Sequence, residues 1–215
     1  MRVTSSLAAL LTFVLAATTA TASPVPFDRA WKEQGFLRLW TNDYSFRGRQ
    51  LDVVSNGTVS LVWRPVEGDL QTATTAMWRW RVTEGVPPTD LTQKGGDDRN
   101  LALYFVFVDE ESARRLTGGN ARQLLRNPNT RALIYVWGGN HSPGAILQSP
   151  YHSGLRTKVL RTGTDGTFSE SVDLAADYRR AFGDAPGVLV GLGVSADSDD
   201  TDTTVRASIA DLQLN

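Results

Sequence analysis

The chain has no cysteine and only two histidines in 215 residues. The first absence removes any disulfide framework and, behind an export signal, any lipid-modified cysteine. The two scarcities together argue against a zinc site of the usual kinds, which draw on thiolate and imidazole. An excess of either charge is lacking too. Twenty-two basic residues face 23 acidic ones, a formal charge of −1, so there is no electrostatic footprint for nucleic acid or an anionic membrane. The apolar run at the N-terminus, residues 7–17, is too short and too rich in Ala and Thr for a good membrane span. With Arg2 before it and Ala20-Thr21-Ala22 after it, it reads as a signal peptide over 1–22, cut after Ala22. The expectation is a periplasmic or secreted mature chain with no transmembrane span; an uncleaved anchor is the alternative. Residues 23–215 suffice for one domain with an ordinary core.

What is present is strand chemistry. Lys94 to Glu110 organises the rest: residues 101–108 are an unbroken apolar and aromatic run, so both faces of that strand should be covered. Asp97 and Asp98 stand at its entrance behind Gly95-Gly96, and Asp109 and Glu110 at its exit. Residues 131–137 form a second run apolar on both faces. In residues 74–82, Trp78, Trp80 and Val82 point one way and Met77, Arg79 and Arg81 the other. Residues 50–55 and 58–64 are joined by Asn56-Gly57, which predicts a hairpin with a type I′ turn. Residues 27–40 mix apolar and charged positions at roughly helical spacing before an edge strand. Residues 112–116 have a helical look broken by Gly118-Gly119. Asp173 reads as the N-cap of a short helix, Leu174 to Phe182, closed by Gly183. Strands recur at short intervals with few helical patterns between them. The fold class is therefore all-β: a two-sheet antiparallel β-sandwich, jelly-roll-like, with a few short surface helices.

Three constellations carry chemistry. The first joins Lys94, Asp97 and Asp98 with the acidic loop containing Asp197, Asp199, Asp200 and Asp202. Alternating carboxylates and carbonyls suit a hard cation, with Asp199, Asp200 and Asp202 as candidate ligands for Ca²⁺, although the EF-hand spacing is missing. Without a metal, the carboxylates would cap turns or pair with Lys94, Arg79, Arg81 or Arg99. The second is a set of aromatics, Trp63, Trp78, Trp80, Tyr104, Tyr135 and Trp137. Such rings either fill a core or offer stacking faces to sugars; Trp137, at a strand end before a Gly-rich loop, is the first expected outside the core. The third is the loop 138–154 with His141 and His152. A triad with Ser142 or Ser149 is conceivable, but no G-x-S-x-G elbow is present and solvated histidines are the simpler expectation.

Several motifs resemble a bacterial family called domain of unknown function 3047: M-W-R-W-R-V from Met77, K-x-G-D-D from Lys94, and Y-V-W from Tyr135 with N-H-x-P-G from Asn140. S-P-Y from Ser149, D-Y-R-x-A-F-G from Asp177 and S-A-D-S-D-D-T-D-T from Ser195 continue the match, which runs from about Trp31 to the C-terminus. The resemblance implies an exported bacterial protein without an established activity, and a pattern like that of carbohydrate-binding jelly rolls. Ser198 and Asp200 depart from the family's usual Thr and Asn, which raises the loop's negative charge.

The preferred reading is a non-catalytic, carbohydrate-binding-like module. Its candidate ligand residues are Asp97, Asp98, Trp137, Asn140, Tyr151, Asp197, Asp199 and Asp202, with no cofactor beyond the candidate Ca²⁺. A glycan or other small ligand is the expected partner. The alternatives are a hydrolase on sugar or acyl substrates using Asp97, Asp98 or Asp199, and a structural protein of the envelope.

Overall fold

The computed structural model describes residues 22–35, 41–115 and 121–215; the leader read over 1–22 lies, Ala22 apart, outside them. The chain runs through β1 (Ser23–Pro24), β2 (Lys32–Gly35), β3 (Asp43–Phe46), β4 (Gln50–Asn56), β5 (Val59–Pro65) and β6 (Thr75–Glu84). Next come β7 (Arg99–Val108), α1 (Glu110–Arg115), α2 (Ala121–Arg126) and β8 (Arg131–Trp137). The last elements are β9 (Ile146–Gln148), β10 (Leu155–Arg161), β11 (Gly166–Asp173), α3 (Leu174–Phe182), β12 (Val188–Asp197) and β13 (Thr204–Leu214). One sheet has the order β11-β6-β13-β4-β3, with β1 also on β13; the other is β2-β5-β12-β7-β8-β10-β9. The sandwich expectation holds with one departure: β10 runs parallel to β8. The turn-rich stretch 138–154 carries the chain back to the start of β8, where Leu155 pairs with Ala132.

Alternation explains how the sheets meet. In β6, Ala76, Trp78, Trp80 and Val82 are buried while Met77, Arg79 and Arg81 face out. In β7, Leu101, Leu103, Phe105 and Phe107 enter the core between the sheets, and in β8 Leu133, Tyr135 and Trp137 do so. The alternate residues, Ala102, Tyr104 and Val106 of β7 and Ala132, Ile134 and Val136 of β8, pack on the outer face of the seven-stranded sheet. Both strands are thus apolar on two faces, as their unbroken runs require.

Two local expectations are corrected. β4 and β5 are not a hairpin. The edges of β4 are taken by β3 and β13, and those of β5 by β2 and β12. Asn56-Gly57 therefore carries the chain from one sheet to the other. Gly57 alone has positive φ there (60°), whereas a type I′ turn needs two such residues. Its N–H bonds to Thr203 O across the arch, and Ser55 Oγ donates to Thr58 O. Nor is there a helix before β2: Phe27 and Trp31 stack at 5.2 Å in the core, and residues 36–40 lie outside the described part.

The third helix forms where expected. Asp173 accepts a hydrogen bond from Ala176 N–H at 2.7 Å, and Gly183 closes the C-terminus in the left-handed region. Asp177 anchors it to the sheet, accepting from Tyr135 Oη at 2.8 Å and from Lys158 Nζ at 2.6 and 2.7 Å. Among the described residues, no helix is long and apolar enough to cross a membrane.

Candidate functional site

The outer face of the seven-stranded sheet carries a cleft of about 740 Å³. Its floor follows from strand periodicity: Val59, Leu61 and Trp63 come from β5, Gly193 from β12, Tyr104 and Val106 from β7, Ala132 and Ile134 from β8, and Leu155 and Thr157 from β10. Two glycines of β12 make the hollow. A Cβ at Gly191 would lie 1.6 Å from the Trp63 ring, and one at Gly193 would lie 2.9 Å from Leu61 and 3.3 Å from Tyr104. Without those side chains, Trp63 and Leu61 approach the β12 backbone closely. The loop from Leu91 to Asp97, the segment Ser149 to His152, and Leu124 form the walls. Nearly all of the floor is apolar.

Polar groups gather at one end. The register that sets Asp197 of β12 opposite Arg99 of β7 brings their side chains together. Arg99 Nη1 donates to Asp97 O (2.8 Å), Asp97 Oδ2 (3.1 Å) and Asp197 Oδ2 (3.0 Å), and Nη2 to Tyr104 Oη (2.9 Å). Tyr104 Oη in turn lies 3.1 Å from Ser195 Oγ. Burial alone would lower the Arg99 pKa, but Tyr104, Asp197 and Asp97 outweigh it and hold the guanidinium firmly charged. Burial pushes the Asp197 carboxyl up to about 9; Arg99 opposes this, while Asp199 and Asp98 reinforce it. Without another cation, Asp197 therefore carries a proton at neutral pH, beside Asp199.

Asp98 is fully buried and has a structural task. Its Oδ2 accepts from Thr201 N–H (2.7 Å) and Thr201 Oγ1 (2.6 Å), and its Oδ1 from Asp200 N–H at 3.3 Å. It staples the turn after β12 to the entrance of β7. Among the described residues, one carboxylate oxygen from each of Asp98, Asp197 and Asp199 lies within 4.8 Å of the others.

The acidic loops meet, as the spacing suggested they could, but through Asp98, Asp197 and Asp199. The candidate metal trio Asp199, Asp200 and Asp202 is not the set brought together: Asp202 sits in the left-handed region (φ 51°) and turns its carboxylate toward Gly57. Arg99, rather than Lys94, supplies the salt bridges to the cluster; Lys94 lies over the Tyr151 ring. Tyr151 is 56 % exposed on the rim, its Oη donating to Asp97 Oδ1 and accepting from Gly95 N–H. Asn140 is exposed in its loop, its N–H bonded to Thr89 O, and does not line the cleft.

Trp137 must be corrected. It continues the inward set of β8 and is wholly buried, against Trp80 (5.7 Å) and Phe168 (5.1 Å), with Nε1 donating to Gly163 O. It cannot serve as a stacking platform. Trp78, Trp80 and Tyr135 are core likewise, so of the strand aromatics Trp63 and Tyr104 reach the cleft. No nucleophile–base pair forms in the His loop: Ser149 Oγ accepts from Tyr151 N–H and His152 Nδ1 from Gly154 N–H. The aliphatic floor was missed. The Gly-x-Gly of residues 191–193, inside an otherwise apolar strand, was the signal that a neighbour lies close there.

The family model described as "Protein of unknown function (DUF3047)" matches residues 29–213. No curated protein matches the chain. Among solved structures, the chain is similar to the xyloglucanase domain of NopAA, a type three effector from Sinorhizobium fredii, in complex with cellobiose. The TM-score is 0.50 at 9% identity, covering 86% of this chain and 92% of that one, a likeness of fold alone. It also aligns with a family 11 xylanase from Neocallimastix patriciarum (TM-score 0.41, 10% identity, 91% and 100% covered). An endoglucanase 3 from Trichoderma harzianum aligns comparably (0.40, 9%, 93% and 100%).

Proposed function

The chain belongs to the DUF3047 family of proteins of unknown function, and from its cleft we propose that it is an exported, non-catalytic binding module for one amphipathic molecule. The ligand's apolar body would lie on the floor and its hydroxyl-bearing head at the polar end. The observation that carries this reading is the segregation of the cleft: an aliphatic and aromatic floor across five strands, with the charged groups, Lys94, Asp97, Arg99, Asp197, Asp199 and Asp200, together at one end. Burying a hydrocarbon body there gains about 25 cal/mol per Å² of apolar surface removed from water. At the head, Lys94, Tyr151 and Asp200 offer donors and acceptors. Export is supported by Arg2, the apolar stretch 7–17 and Ala20-Thr21-Ala22.

A plain glycan is the narrower reading. It draws support from the cellobiose-bound structure of similar fold and from the exposed Tyr151 ring. Against it, a saccharide carries hydroxyls around its whole edge, and Leu61, Val106, Ile134 and Leu155 give them no partner. Hydrolysis has one feature in its favour, the raised pKa of the buried Asp197 beside Asp199. Yet Asp197 is tied to Arg99, Asp98 is consumed by the turn, and the carboxylates cluster on one side instead of facing each other across a bond.

Calorimetric titration with octyl glucoside below its micelle concentration, and with cellobiose, tests the reading. Saturable binding of the alkyl glycoside, much weaker binding of cellobiose, and loss of both in Thr157→Trp, which fills the floor, are expected. Equal affinity for the two would favour the glycan reading, and sugar release would favour the hydrolase. No binding of either would overturn the proposal.

A further inference from the structure

We propose that Asp98, Asp197 and Asp199 hold one calcium ion at the polar end of the cleft. This inference does not rest on the identity of the ligand. Three carboxylates at two neighbouring strand ends build the site. Asp98 stands just before β7 and Asp197 ends β12, its strand neighbour, while Asp199 follows in the turn that Asp98 itself fastens through Asp200 and Thr201. One oxygen from each lies within 4.8 Å of the others. That span matches the diameter of a calcium coordination sphere, whose oxygen bonds are about 2.3–2.6 Å.

An orphaned atom points to an occupant. Asp197 is only 6 % exposed, and no N–H or hydroxyl donor reaches its Oδ1, which is left among the carboxylates of Asp98 and Asp199, while Oδ2 accepts from Arg99. Asp98 Oδ1 keeps coordinating capacity as well, since its one hydrogen bond, from Asp200 N–H, is long at 3.3 Å. Charge points the same way. The Arg99 guanidinium is bonded to Asp97 and Asp197, while Asp98 and Asp199 each bring a further carboxylate oxygen within 4.8 Å of one on Asp197. Buried carboxylates in excess of their cations oppose folding, so a second positive centre is favoured there. A hard dication accepts three carboxylates and completes its six to eight oxygens from water. Asp197 and Asp199 also line the cleft, so that water, or the hydroxyls of a bound head group, has access to the ion.

The test uses the chelator-treated chain, titrated with CaCl₂ by calorimetry and followed by thermal unfolding. One ion per chain and a melting temperature that rises with calcium are expected. Asp98→Asn risks the fold, because it loosens the turn. Asp199→Asn leaves that fastening intact, so it should keep the circular dichroism spectrum while weakening calcium at least about tenfold, a loss of roughly 1.4 kcal/mol. Absence of saturable heat and of any thermal shift up to about 10 mM, beyond the ~10⁻³ M limit of weak extracellular calcium modules, would overturn the proposal. So would calcium binding of unchanged affinity in Asp199→Asn.

Discussion

Asp197 makes the stability of this protein depend on pH in a direction opposite to most carboxylates. Its pKa rises from 3.8 to about 9 on folding, chiefly through burial. Between those values the folded state holds a proton that the unfolded state has released. The group's contribution is therefore fully present below about pH 4 and is lost as pH climbs through the folded value. One proton is worth about 1.36 kcal/mol per pH unit, so the interval from about pH 5 to about pH 8 sets a ceiling near 4 kcal/mol. Arg99 opposes the rise, which lowers the expectation to about 2–4 kcal/mol.

The perturbation is Asp197→Asn. The amide has nearly the same shape as the protonated acid, accepts from Arg99 through its oxygen, and presents N–H donors to Asp199. Urea unfolding of both proteins, in chelator so that no ion competes with the proton, reads the difference. The wild type should lose about 2–4 kcal/mol relative to Asp197→Asn across that interval, by a shift of midpoint at constant m. At the alkaline end the variant should be at least as stable as the wild type. Parallel profiles for the two proteins would mean instead that Arg99 keeps Asp197 ionised.

Two further outcomes concern the scaffold. Trp80 is 1 % exposed, meets Trp78 and Trp137 at 5.4 and 5.7 Å, and donates to Glu170 at 2.9 Å; Trp80→Ala should cost about 3–5 kcal/mol in urea unfolding, and a loss within about 0.5 kcal/mol would invert the face assignment of β6. Lys158→Met should cost about 3–5 kcal/mol at neutral pH by leaving the buried Asp177 carboxylate with Tyr135 as its main partner. Adding Asp177→Asn should recover much of that loss in a double-mutant cycle.

Legibility from sequence followed the range of the interactions involved. The alternation of β6, the double-faced runs of β7 and β8, and the capped helix α3 are written in neighbouring residues, and each forms where the pattern places it. The Asn56-Gly57 arch misled because turn chemistry reports a reversal and not which sheet the next strand joins; β12 and β13 decide that from far along the chain. Trp137 misled for a similar reason. Its place before a Gly-rich loop suggested exposure, but its parity with Leu133 and Tyr135 puts it in the core. At the site, the meeting of the two acidic loops was legible as a combination of strand ends. The choice of Asp98, Asp197 and Asp199 over Asp202 was not, because it depends on one register, Asp197 against Arg99. The apolar floor was harder still: it needs Leu61, Tyr104, Ile134 and Leu155 on four strands to share a face, which no local window contains.

The central claim is that this face of the sheet holds a ligand by its apolar body. Backbone amide chemical-shift mapping with octyl glucoside below its micelle concentration tests it directly. Saturable shifts are expected at Leu61, Trp63, Tyr104, Val106, Ile134, Leu155 and Gly193, reaching Tyr151 at the rim. Shifts confined to the exposed Met77, Arg79 and Arg81 face of the other sheet, or none at all, would contradict it.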